Sequence, residues 1–217
     1  DIQTVGDSLV YLEKDSMIRC YGQPILWNDN QQIAADSILV FLANEEVEHA
    51  EGLGNAFACQ MQTDEFFNQM SGKEIIAYMD SGNIKEVLVK GNAETVYYPK
   101  DDNGKYTGVN KTQSSFVRIF IENEEIKRIL FTTATTGTMY PLKDMPPQKA
   151  NLSAFFWASG ERPADKDDVF REVTHQQRKA TVVSATSEQD EEEKAAKEKK
   201  EKDKRKKSSN KGQLKSK

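Results

Sequence analysis

Side chains able to do chemistry are few and scattered in this chain. Its 217 residues hold only two histidines, His49 and His175, in unrelated contexts. His49 lies in Glu45-Glu46-Val47-Glu48-His49-Ala50-Glu51, dense enough in carboxylates to be drawn as a metal site. A zinc site needs three or four ligands converging on one point, and strand alternation sends Glu48 and His49 to opposite faces. The cluster therefore reads as a solvated hairpin tip, with no metal expected. No Ser-His-Asp or Cys-His grouping can be assembled, and no Gly-rich phosphate loop follows a strand. Asp101-Asp102 falls in the run 99–104, where nearly every residue is a turn former, and is not a general acid and base. Cys20 and Cys59 could pair in an oxidising compartment, or each could fill a small buried site. The sequence points away from catalysis, and no cofactor is expected.

What remains is apolar chemistry carried on strands. Residues 71–98 read as a β-hairpin: Ile75, Ala77 and Met79 alternate with Ile76, Tyr78 and Asp80, Asp80-Ser81-Gly82-Asn83 supplies a turn, and 84–89 returns to Gly91-Asn92-Ala93. The chain repeats this phrase. Ile38-Leu39-Val40-Phe41 leads through Asn44-Glu45-Glu46 to Gly54-Asn55-Ala56, matching the central copy at an offset of 37 residues. A looser copy runs from Val117-Arg118-Ile119-Phe120-Ile121 through Glu122-Asn123-Glu124-Glu125 to a Thr-rich exit at Thr132-Thr133. A shortened one opens the chain with Leu9-Val10-Tyr11 and ends at Gly22-Gln23-Pro24. Repeats of this size are stacked supersecondary units, none of which buries its apolar face alone.

Registering the copies stacks Val40, Ala77 and Ile119, flanked by Ile38, Ile75 and Val117. On the return strands Ala50, Val87 and Ile129 align, as do Gly52, Val89 and Phe131. Alternation puts each column on one face, as a continuous apolar strip along the stack. The strip is either packed core or an open groove for acyl chains, in which Ala50, Gly52 and Ala77 leave room.

Phe57-Ala58-Cys59-Gln60-Met61 follows the first full copy, residues 94–98 read as a further strand, and Trp27 as an anchor at the core edge. After Pro141 the pattern changes. Met145-Pro146-Pro147 breaks the sheet and Leu152-Ser153-Ala154-Phe155-Phe156-Trp157 is the last strongly apolar cluster. Residues 141–172 are expected to cover the last open strands. Residues 173–187 lead into 188–217, which carries 12 Lys and Arg against 8 Asp and Glu and almost nothing apolar. That tail is expected to be disordered, solubilising or drawn to anionic surfaces. Removing it leaves 18 basic and 27 acidic residues in 1–187, an acidic body that argues against nucleic acid as a partner. No run of about 18 apolar residues is present to form a membrane helix. The chain begins at Asp1, which permits an exported protein whose signal segment has been removed.

The phrases GQPILWNDNQQIAADSILVFLANEEVEHAEGLGNAFAC and MSGKEIIAYMDSGNIKEVLVKGNAETVYYP resemble the OstA-like family of lipopolysaccharide-transport proteins. The likeness covers roughly residues 7–140, and Phe156-Trp157 through Arg162-Pro163 to Val169-Phe170 is similar to a C-terminal extension of Bacteroidetes members. The resemblance implies an all-β chain, its hairpins stacked as a twisted β-jelly-roll or open β-stack. It divides into a β-repeat domain (1–140), a cover and linker (141–187) and the charged tail (188–217). It implies a periplasmic module, free or associated with the outer membrane, that shields the acyl chains of lipid A without catalysis. Ile38, Val40, Ile75, Ala77, Val87, Val89, Val117, Ile119, Ile129 and Phe131 would line the lipid path. Partners would be lipopolysaccharide and other β-jelly-roll transport proteins joined edge to edge, or a second copy of the chain. The long tail and the cover depart from the small bridge proteins of the family. The competing reading is a structural or adhesive β-repeat protein whose strip is only core.

Overall fold

Two-residue turns with both backbones left-handed set the strand pairing. Asn44-Glu45, Ser81-Gly82 and Asn123-Glu124 all have positive φ, from 50° to 81°. This geometry matches the twist of the strands it joins, and Asn and Gly adopt it most readily. In a computed structural model that describes residues 2–145, 150–165, 167 and 168, these turns connect long antiparallel strands. The charged tail, the lead 173–187, His175 and Val169-Phe170 lie outside the described residues.

Among the described residues, twelve strands make one antiparallel sheet. They are β1 (Ile2–Val5), β2 (Ser8–Leu12), β3 (Met17–Tyr21), β4 (Ile25–Asn28), β5 (Gln31–Ala34), β6 (Ser37–Ala43), β7 (Glu46–Met61), β8 (Phe67–Asp80), β9 (Asn83–Tyr97), β10 (Val109–Glu122), β11 (Glu125–Thr132) and β12 (Thr136–Tyr140). The chain is all-β, as its alternation requires, and among the described residues no helix is long and apolar enough to cross a membrane.

The pairing divides into two arms that share β7 to β10. The upper arm runs β2-β3-β6-β7-β8-β9-β10-β11, and the lower arm runs β1-β4-β5-β7-β8-β9-β10-β12. Both are simple meanders, so the fold amounts to eight long strands, each bent at mid-length. The Gly-Asn-Ala exits are the bends. Gly22-Gln23, Gly54-Asn55, Gly91-Asn92 and Thr133-Ala134 each place two successive residues at positive φ. Such pairs form bulges, which add a residue and turn the strand sharply. At one bend Asp36 N donates to Gly54 O at 2.9 Å, and Asn55 Nδ2 donates to the Asp36 carboxylate at 3.1 Å. A Cβ on Gly54 would strike that carboxylate, so glycine is required there. The expectation of a separate strand at 94–98 is therefore corrected. Residues 57–61 continue β7 and 94–97 continue β9, because a bulge bends a ladder without ending it.

The arms face each other. A Cβ on Gly52 of the upper arm would lie 3.1 Å from Ile33 Cδ1 of the lower arm. Cys20, Ile33, Ile38, Ala56, Ile75, Val89, Ala93 and Val117 belong to the one buried cluster between them.

The C-terminal segment does not lie on the last strands, as expected, but crosses the outer face of the lower arm. Ala150 and Leu152 pack with Val96, Tyr98 and Val109; Phe155, Phe156 and Trp157 pack on Phe57, Cys59 and Phe67; Ala158 joins Ile25, Trp27 and Ala34. Trp27 is thus fully buried rather than at an edge. Two buried glutamines pin the strap. Gln69 Oε1 accepts from Leu152 N (2.8 Å) while its Nε2 donates to Asn151 Oδ1 (2.7 Å). Gln32 Oε1 accepts from Ala158 N (2.8 Å) while its Nε2 donates to Phe156 O (3.0 Å). At the far side Arg162 Nε donates to Gln3 Oε1. The strap lies on a face because Phe57, Cys59, Phe67 and Val96 alternate outward from the lower arm and need cover.

Candidate binding groove

The ten lining residues expected from the repeat fall into two cross-strand rows on the inner face of the upper arm. Nearer the bends, Leu9, Cys20, Ile38, Gly52, Ile75, Val89, Val117 and Phe131 are successive register partners. One step outward, so are Tyr11, Ile18, Val40, Ala50, Ala77, Val87, Ile119 and Ile129. A third row pairs Leu42 with Val47, Met79 with Ile84, and Ile121 with Ile126 at the hairpin tips. Sequence reasoning missed this row, although carrying the same alternation two residues further along each copy would have found it.

Burial decreases from the bends outward. Ile38, Ile75, Val89 and Val117 are at most 1% exposed, Val40, Ala50, Val87 and Ile119 lie between 3% and 9%, and the six residues of the third row are only half-buried. A sheet packed shut would bury all three rows alike. The gradient describes a cleft that is closed at the bends and opens towards the tips.

The opposing wall is the lower arm. Leu26, Ile33, Ala58 and Met70 are register partners across β4, β5, β7 and β8, and all four pack against the same cluster. Beyond them Asn28, Gln31, Gln60 and Asn68 are partners in the next inward-facing row. The missed wall had no sequence signal, because only the bends bring it opposite the repeat.

Between the walls is a cavity of about 110 Å³. A single water centre needs on the order of 10–15 Å³, so this is a slot several atoms long. Val40, Ile75, Ala77, Val87 and Ile119 line it. Ile38, Val89 and Val117 pack its floor, while Ile129 and Phe131 on β11 stand beside it, packed on the same cluster. The room comes from Ala50 and Ala77, which face each other across β7 and β8 in the middle row. Cys20 sits in the floor, where burial raises its thiol pKa and the Thr4 hydroxyl beside it partly offsets that. On β9, burial raises the Tyr97 phenol, Lys100 lowers it, and the Glu125 carboxylate of the opposite arm raises it.

Among the described residues, the histidine and the two cysteines stand apart from one another. His49 lies on the outer face, stacked on Phe41 at 4.3 Å, with Nδ1 3.3 Å from Glu48 Oε2 and Nε2 3.6 Å from Glu51 Oε1. The register shift at Phe41/Leu42 brings Glu48 beside it, so strict alternation misplaced that pair, while Glu45 and Glu46 of the same run form the exposed tip of the β6–β7 hairpin. Cys20 and Cys59 are free thiols, one facing the cleft and the other under the strap at Phe156, too differently placed to pair.

No family model and no curated protein matches the chain. Among solved structures, the chain is similar to LptH, the LptA-homologous periplasmic component of the lipopolysaccharide transport device of Pseudomonas aeruginosa. The TM-score is 0.51 at 12% sequence identity, over 65% of this chain and 96% of LptH. That likeness establishes a shared fold, the bent antiparallel β-jelly-roll.

Proposed function

We propose that this chain is a non-catalytic periplasmic module of lipopolysaccharide transport or outer-membrane assembly, which carries acyl chains in the cleft between its arms. The observation that carries this reading is the burial gradient across three apolar rows, closed at the bends and open at the tips. The fold shared with a component of a lipopolysaccharide transport device agrees with it. Moving a lipid through water requires shielding its tails, worth about 0.8 kcal/mol for each buried CH₂. An open cleft provides that shielding without bond chemistry and leaves the glycan in water. Direction of travel then comes from partners that meet the sheet edges. At one edge β2 exposes Leu9, Val10 and Tyr11, each more than 40% accessible, and at the other β11 exposes Leu130. Unpaired strands of this kind accept another strand, from a related jelly-roll or a second copy of this chain.

Photocrosslinking to lipopolysaccharide from single probes at Ala77, Met79 and Ile129, with exposed Lys100 as control, tests the reading. Crosslinks at the cleft positions alone are expected. Crosslinking at none of them in folded protein would refute it and leave a structural β-repeat protein. The packed floor at Ile38, Val89 and Val117 is the one feature that favours that alternative.

A further inference from the structure

The two lips of the cleft are chemically unlike. The upper lip is apolar: Leu42, Val47, Met79, Ile84, Ile121 and Ile126. The lower lip is a ladder of four carboxamides, Asn28, Gln31, Gln60 and Asn68, set opposite one another across β4, β5, β7 and β8. All four line the cavity. Amide ladders commonly satisfy themselves rung to rung, but among the described residues no hydrogen bond joins these four. Asn68 Oδ1 accepts instead from Tyr98 N at 3.0 Å. Gln31 Oε1 is fully buried and has no partner among the described residues. A buried amide oxygen without a partner costs about as much as a lost hydrogen bond, so its retention beside a cavity calls for a donor from outside the protein.

The charge at the mouth narrows the chemistry. Among the described residues lining the cavity, the sole charged side chain is Glu124, and no lysine or arginine is present. The tips beside the upper lip add Asp80 and Glu122, with Lys85 3.9 Å from Asp80. An anionic headgroup would meet acidic groups here and no cationic fork.

Building on the acyl-chain reading above, we propose that the carboxamide lip is a binding site for the uncharged linkage at the head of an acyl chain. The occupant is an N-acyl amide, whose N–H reaches Gln31 Oε1 and whose carbonyl accepts from the side-chain NH₂ groups of the ladder. The chain itself lies against the apolar rows. Any phosphate on the same lipid stays outside the cleft, away from the acidic tips.

Displacement of an uncharged naphthylamine dye from the full chain tests this, with N-dodecanoylglucosamine and dodecyl phosphate as competitors below their micelle concentrations. The amide is expected to displace the dye at about tenfold lower concentration, the effect of one or two hydrogen bonds. Gln31→Leu and Gln60→Leu, which conserve bulk, should each lower the affinity for the amide several-fold relative to dodecyl phosphate, each competitor being read against the variant's own dye affinity. Gln31→Lys should swing the preference to dodecyl phosphate. Equal displacement by both amphiphiles, or variants that leave the amide unaffected, would overturn the ladder proposal and leave the acyl groove standing. If neither the dye nor either amphiphile binds, both proposals fall.

Discussion

Replacing Ala77 with leucine separates a packed core from an acyl groove, because the two make opposite demands on the same position. Ala77 faces Ala50 and Val87 in the middle row and lines the cavity. In a close-packed interior, three added carbons would force neighbours off their rotamers, and overpacking of that kind costs about 1–3 kcal/mol. In an open slot of about 110 Å³ the added atoms occupy space already present. They then bury apolar surface at about 0.8 kcal/mol per carbon, so unfolding should become harder by up to about 2 kcal/mol. The same atoms exclude a comparable length of ligand. Losing three methylenes of contact weakens acyl binding by about 2.4 kcal/mol, or roughly 50-fold. Thermal unfolding and dye displacement on one preparation read both quantities. A higher Tm with weaker displacement is the expected pair. A Tm several degrees lower with displacement unchanged would show that the row is core and refute the groove.

Gln69→Leu leaves the Leu152 N–H buried without its acceptor, so stability should fall by about 1–3 kcal/mol in a denaturant titration and limited proteolysis should open the strap near residues 150–158. Thr133 holds φ at +66°, a strained value for a β-branched residue. Thr133→Gly should therefore raise stability by about 1 kcal/mol in the same titration. Burial pushes the Cys59 thiol up to about 12 and the Tyr98 phenol up to about 12. Both groups hold their protons more tightly folded than unfolded. Their contribution is present in full below the unfolded values of 9.0 and 10.0 and is lost as pH rises towards 12, so alkaline unfolding should set in across that window. Tyrosinate absorbance and thiol labelling should show both groups silent at pH 9 until the chain unfolds.

The sequence by itself determined the strands, the turns and the register. Alternation has a period of two and turn residues act locally, so aligning three copies of one phrase was enough to put Val40, Ala77 and Ile119 in one row and Ile38, Ile75 and Val117 in the next. The Gly-Asn-Ala exits were equally legible, but only as punctuation. That they bend strands rather than end them depends on both partners of each ladder continuing past the bulge, which is a property of the assembled sheet. The bends alone bring the lower arm opposite the upper one. Asn28, Gln31, Gln60 and Asn68 look like ordinary surface residues in four separate phrases until that happens. The strap is a similar case: the apolar cluster at 152–157 announced a cover, while the face it covers was chosen by Phe57, Phe67 and the two buried glutamines. Local chemistry fixes what each segment is. Which segments meet is decided by burial summed over the whole sheet, and that sum has no signature in any one stretch of chain.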